Sequence, residues 1–200
     1  MKGIEDSKHF YDRVSTVYNP LLNWVFNPGR QKVADVLNTE SDLKIIEIGS
    51  GTGTFVQNLK PCNDYLGIEA SVGMYNISKR NFPANEFLNI KYEDYQPSVK
   101  FDVVVINYTL SVVDDPEDLI KKVHEWLGEN GRVYIVNHFS TENLFYKLLQ
   151  KVSIHFGYNA YFPFNPKLFS NYFNITIFES VNLLGIWKLI ELTPKKNEQE

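Results

Sequence analysis

The chain has 200 residues, 44% hydrophobic and 22% charged, which suits one α/β domain with a buried core. A formal net charge of -4 makes the molecule a poor electrostatic match for nucleic acid. One cysteine, Cys62, excludes an intramolecular disulfide and favours a cytoplasmic setting; the four histidines (His9, His124, His138, His155) stand far apart, so no metal site is expected.

The opening "MKGIEDSKHFYDR" is too polar for a secretory leader, and no apolar run is long enough to span a membrane. Residues 1–38 read as helical, with Phe10, Val14, Val17 and Leu21 at three-to-four spacing; Pro20 and the "NPG" at 27–29 divide the region. "LKIIEIGS" is a short buried strand and "TFVQNL" a helical stretch after the glycines. "YLGIEAS" is a second strand, "VGMYNISKRNF" a helix, "FLNIKYE" a weak third strand and "FDVVVINYTL" a β-branched fourth. "PEDLIKKVHEWLGENG" is a helix with proline at its start and glycine at its end, and "RVYIVNHF" is a fifth strand.

Strands alternate with helices from 43 to 139, which predicts a doubly wound, mostly parallel sheet. Helix 142–156 follows, then "FNITIFESVNL" and "LGIWKLIELT". These two runs predict an antiparallel hairpin at one edge, seven strands in all. Residues 1–194 form one domain, and the polar tail 195–200 is expected to be disordered. Aromatic residues make up 14% of the chain, which fits an aromatic-lined pocket or, more commonly, core packing.

The first strand ends at Gly49-Ser50-Gly51-Thr52-Gly53, where an open α/β sheet binds its ligand. A dinucleotide loop has glycine three residues after its second glycine; Thr54 stands there instead. Glu47, two residues before the loop, would repel a pyrophosphate and attract an ammonium group. Glu69, at the tip of the second strand, can accept both hydroxyls of a ribose. An adenosine with an amino-acid tail in place of a diphosphate is S-adenosylmethionine.

With E-x-G-x-G-x-G at 47–53, Glu69, "FDVVVINYTLS" and "LGENGRVYIVNHF" in this order, the chain resembles the class I S-adenosylmethionine-dependent methyltransferases over nearly its whole length. The resemblance implies a Rossmann-like methyltransferase fold. It implies that Glu47 lies near the methionine amino group, that the loop Gly49, Ser50, Gly51, Gly53 packs on it, and that Glu69 takes the ribose. It further implies that Ala70 and Met74 flank the adenine, that an acidic residue of "KYEDYQP" (Glu93 or Asp94, with Asp94 favoured) meets its amino group, and that Asn107 faces the methionine portion.

For the acceptor, "YDRVSTVYNPLLNWVFNPGRQKVADVL" is similar to the start of bacterial phosphatidylethanolamine N-methyltransferases and their quinone C-methyltransferase relatives. "SVV.DP", "NHF" and "HFGYNAYFPF" resemble the phospholipid enzymes more closely. The expectation is head-group N-methylation on the way to phosphatidylcholine. The alternatives are a quinone-precursor C-methyltransferase, a small-molecule N- or O-methyltransferase, and a non-catalytic adenosylmethionine-binding protein. Tyr11 and Tyr18, seven residues apart on one helical face, are candidates to meet the sulfonium and the substrate amine, or are packing residues of a docked helix. His138 is a candidate proton relay or phosphate holder, or structural. Helix 142–156 and the amino-terminal helix, with Lys8, Arg13, Arg30 and Lys32 beside apolar residues, would either lie on a membrane surface or pack on the sheet.

Overall fold

The structure is a computed structural model that describes residues 26–139, 162–181 and 187–195. The strands are β1 (Lys44–Ile48), β2 (Asp64–Glu69), β3 (Glu86–Asn89), β4 (Phe101–Asn107), β5 (Leu127–His138), β6 (Phe173–Ser180) and β7 (Trp187–Pro194). The described helices are α1 (26–37), α2 (Val72–Asn81), α3 (Pro116–Trp126) and the short α4 (Lys167–Ser170). One sheet runs β3-β2-β1-β4-β5-β7-β6, parallel except that β7 pairs antiparallel with β5 and β6. The predicted seven strands and edge pair are present. The return strand β7 inserts inside the sheet and leaves β6 at the edge.

β1 and β4 lie at the centre, so both of their faces are buried, and this is why they read as continuous apolar runs. Side chains alternate between two cores. Ile46, Ile48, Val104 and Ile106 pack towards Leu119, Ile120 and Val123 of α3. Ile45, Val103 and Val105 pack towards Val33, Ala34 and Leu37 of α1. From β1 the chain winds outward through β2 and β3, then returns to β4. The strand order therefore reverses between β1 and β4, and that reversal opens a crevice at the carboxyl ends of the strands.

Three local expectations are corrected. "NPG" does not break the chain, because 26–37 is continuous helix. Gly29 is needed there for contact: a Cβ would collide with the Tyr108 hydroxyl and lie 2.7 Å from Val136 Cγ1. "TFVQNL" yields only a 3-10 turn, Val56–Asn58. Pro61 disfavours helix in the residue before it, and the Asn38 side chain clasps the segment through Asn58 O (2.8 Å) and Lys60 N (2.9 Å). α3 begins as expected, with Pro116 in its first turn and Asp115 accepting from Glu117 N and Asp118 N, both at 3.0 Å. It stops at Trp126 rather than at the glycine. Buried Leu127 pairs with Phe101 in the sheet, and the register then jumps to Val103↔Arg132, so "LGENG" becomes an irregular start to β5.

Helix 142–156, residues 1–25 and the "NLLG" turn lie outside the described residues.

Candidate cofactor site

The crevice contains a cavity of about 460 Å³, within the range of small-molecule sites. Gly49, Gly51, Glu69, Ala70, Met74 and Asn107, all expected from the sequence, line it. The loop glycines share positive φ: 70° at Gly49, 56° at Gly51 and 78° at Gly53. They differ in their surroundings. At Gly51 a Cβ would meet only Met74 Sδ, at 3.6 Å, so this backbone is bare towards the cavity. At Gly53 a Cβ would lie 2.8 Å from Phe87 Cζ and 3.0 Å from Ser78 Cβ, so this glycine serves packing against α2 and β3. Gly53 and Ser50 do not line the cavity; Ser50 is buried against β2, beside Gly67.

Glu69 holds the loop as well as facing the cavity. Its Oε2 accepts from Gly51 N (2.8 Å) and its Oε1 from Ser71 N (2.7 Å).

Glu47 does not reach the cavity wall, and it is only 1% exposed. Tyr65 Oη donates to its Oε2 at 2.5 Å and Asn107 Nδ2 to its Oε1 at 2.9 Å. Burial pushes its carboxyl up from 4.5 to about 7, against the downward pull of the Tyr65 and Asn107 hydrogen bonds and of Arg30. Asn107 stands between Glu47 and the cavity. With Nδ2 committed to Glu47, its Oδ1 is a buried acceptor without a partner among the described residues.

Several lining residues carry no sequence motif. Arg30, whose helix was expected either to lie on a membrane surface or to pack on the sheet, lines the cavity with Phe26 from α1. Tyr108 has φ 60°, rare for a side chain of its size. Its hydroxyl donates to Phe26 O (2.9 Å), its ring lies 4.5 Å from the Phe26 ring, and the Arg30 guanidinium stands 5.8 Å from its centroid. Burial pushes the Tyr108 hydroxyl well above its ordinary range, so it stays protonated. Gly29, immediately before Arg30, is the sequence feature that lies against this wall, where its missing side chain makes room for the Tyr108 hydroxyl.

At the far end Glu93, not Asp94, lines the cavity, together with Asp114. Lys91–Asp94 closes a turn, with Asp94 N donating to Lys91 O, and this sets which acidic residue faces inward. His138 is buried at the end of β5 and is not among the lining residues. Tyr11 and Tyr18 lie outside the described residues. Among the described residues no cluster of His, Cys, Asp or Glu has the arrangement of a metal site.

A family model described as a methyltransferase domain matches residues 23–179. The chain belongs to this methyltransferase family. It is 32% identical over 172 residues to a carboxy-S-adenosyl-L-methionine synthase of Nautilia profundicola, covering 79% of this chain and 72% of that protein. It is 25% identical over 133 residues to a phosphatidylethanolamine N-methyltransferase of Cereibacter sphaeroides, covering 63% of this chain and 65% of that protein. The solved structure of the DhpI–SAH complex superposes with a TM-score of 0.75 at 16% identity, over 98% of this chain and all of that one. The chain is an S-adenosyl-L-methionine-dependent methyltransferase with the Rossmann-like fold of that class. The cavity of this methyltransferase fits that cofactor: bare backbone at Gly51, a carboxylate at Glu69, and an orphaned buried acceptor at Asn107.

Proposed function

We propose that this methyltransferase N-methylates the head-group amine of phosphatidylethanolamine. One observation carries the reading. The two stretches that resemble the phospholipid enzymes, "SVV.DP" and "NHF", meet in space: Ser111 Oγ donates to Asn137 Oδ1 at 3.3 Å, and Asn137 Nδ2 donates to His138 O at 2.7 Å. Val112, Val113 and Asp114 of the first stretch line the cavity. The partial likeness to the Cereibacter sphaeroides enzyme supports the same acceptor.

The cofactor supplies a methyl group on a sulfonium, an already good leaving group, so alignment and exclusion of water provide much of the rate. The Phe26 and Tyr108 rings offer π faces to cationic groups at one wall, each such contact contributing about 0.5–2 kcal/mol. Arg30 supplies the positive charge for the cofactor's carboxylate. Arg30→Met is expected to weaken S-adenosylhomocysteine binding by about tenfold and to leave 5′-methylthioadenosine, which lacks the amino-acid tail, unaffected in calorimetry. Equal loss for both ligands would remove Arg30 from this role.

The acceptor is tested by incubating the protein with labelled S-adenosylmethionine and liposomes containing phosphatidylethanolamine, then separating the lipids. Label in the mono-, di- or trimethylated lipid supports the reading; an unlabelled lipid fraction with tight cofactor binding overturns it. A second reading, carboxylation of the cofactor itself, is favoured by the 32% identity to a carboxy-S-adenosyl-L-methionine synthase and by the cationic Arg30 in the cavity. Mass spectrometry of the cofactor after incubation with a carboxyl donor, showing a product heavier by one CO2 in which carboxylate has replaced a hydrogen released as a proton, distinguishes it. No described helix is long and apolar enough to cross a membrane.

A further inference from the structure

The geometry points to Tyr65 as a positioning residue of the cofactor site: through Glu47 it holds the Asn107 amide so that its oxygen accepts a hydrogen bond from the cofactor's ammonium group. The inference rests on the S-adenosylmethionine reading of the cavity and is independent of the methyl acceptor.

Tyr65 lies on β2, four residues before Glu69, outside the glycine loop and outside the cavity wall. It is 4% exposed, and its ring is held at 5.7 Å from the Phe87 ring and 6.4 Å from the Phe55 ring. Packing alone would be served as well by phenylalanine. The hydroxyl instead makes a 2.5 Å bond to Glu47 Oε2. The other Glu47 oxygen takes Asn107 Nδ2. The carboxylate is thus fixed at both ends, so its plane cannot turn. An ionised carboxylate only accepts, so the Asn107 amide must present nitrogen to Glu47 and keep oxygen free. That oxygen is the buried acceptor without a partner among the described residues, on a residue of the cavity wall.

The chain of bonds makes Glu47 a counter-charge one residue removed from the ligand. Its carboxylate is stabilised by the Tyr65 hydroxyl from β2, the Asn107 amide from β4 and the Arg30 charge from α1, and opposed by burial and by Glu69. The ammonium group favours ionised Glu47, and ionised Glu47 favours the amide orientation that receives it. Removing the Tyr65 hydroxyl leaves Oε2 buried without its donor, which disfavours ionisation. Cofactor affinity therefore rises with pH through the Glu47 titration, and Tyr65 sets where that rise falls.

The test is calorimetric titration of S-adenosylhomocysteine from about pH 6 to about pH 9 into wild-type protein, Tyr65→Phe, Glu47→Gln and the double variant. Wild-type affinity should strengthen as pH passes about 7. Tyr65→Phe should move the midpoint up by about one pH unit and weaken binding at pH 7 by about fivefold, with 5′-methylthioadenosine unaffected. Glu47→Gln should bind weakly at every pH, and adding Tyr65→Phe to it should cost little more. A Tyr65→Phe profile that superposes on the wild type, whatever its melting temperature, returns Tyr65 to core packing. Full additivity in the double variant shows that it does not act through Glu47. Wild-type protein that binds neither nucleoside refutes the cofactor reading itself, a different result from either.

Discussion

Gly51→Leu is expected to abolish S-adenosylhomocysteine binding while leaving the methyltransferase folded. At Gly51 a Cβ has only Met74 Sδ within reach, so the new side chain enters the cavity rather than the core. The backbone there is anchored by its own N–H on Glu69 Oε2. The cost to the fold is the positive φ of 56°, about 1–3 kcal/mol for a residue with a side chain. Calorimetry should find no heat of binding, and a thermal melt should stay cooperative with a lower midpoint. Retained binding would show that the ligand does not approach the loop. Gly53 is unsuitable for this test, because a Cβ there meets the ring of Phe87 and disturbs packing before it touches a ligand.

Glu47→Gln is expected to stabilise the protein without cofactor above neutral pH while weakening its cofactor site. The folded-state pKa of Glu47 is raised, from 4.5 to about 7, so the folded protein holds this proton more tightly than the unfolded chain. That contribution is fully present below pH 4.5 and is lost as pH rises through about 7. The shift corresponds to about 3 kcal/mol. Urea unfolding at about pH 5 and about pH 8 should show the wild type losing stability of that order at the higher pH, and Glu47→Gln losing much less. A variant less stable than the wild type at the higher pH would mean that the carboxylate is well accommodated in its charged form. A buried carboxylate that costs stability without cofactor and gains from an ammonium group with it is stability given up to binding, as is common at ligand sites.

Much of this was legible in the sequence because the rules involved are short-range. "KIIEI" and "FDVVVIN" read as strands because both their faces are buried at the sheet centre, which leaves an uninterrupted apolar run. α3 was legible from its start, where Pro116 stands in the first turn behind the Asp115 cap. The stops were less so. "LGENG" looks like a helix end, yet pairing of buried Leu127 with Phe101 ended α3 at Trp126. The "NPG" looks like a break, yet α1 runs through it because Gly29 lets the helix approach Tyr108 and Val136. No window of local sequence contains those partners.

By itself the sequence determined that there is an α/β sheet with a glycine loop at the end of β1 and an acidic residue at the end of β2. Backbone conformation and strand alternation depend on near neighbours, and near neighbours are what a sequence displays. Only the tertiary structure decided what each group does there. Glu47 and Asn107 are 60 residues apart, and Tyr108 contacts Phe26 across 82. Their pairing depends on how β1, β2, β4 and α1 lie side by side. That packing took Glu47 off the cavity wall, brought Arg30 onto it, and set Glu93 rather than Asp94 there. Side-chain direction follows from the register and depth of each element in the assembled fold, and these are properties of the whole chain.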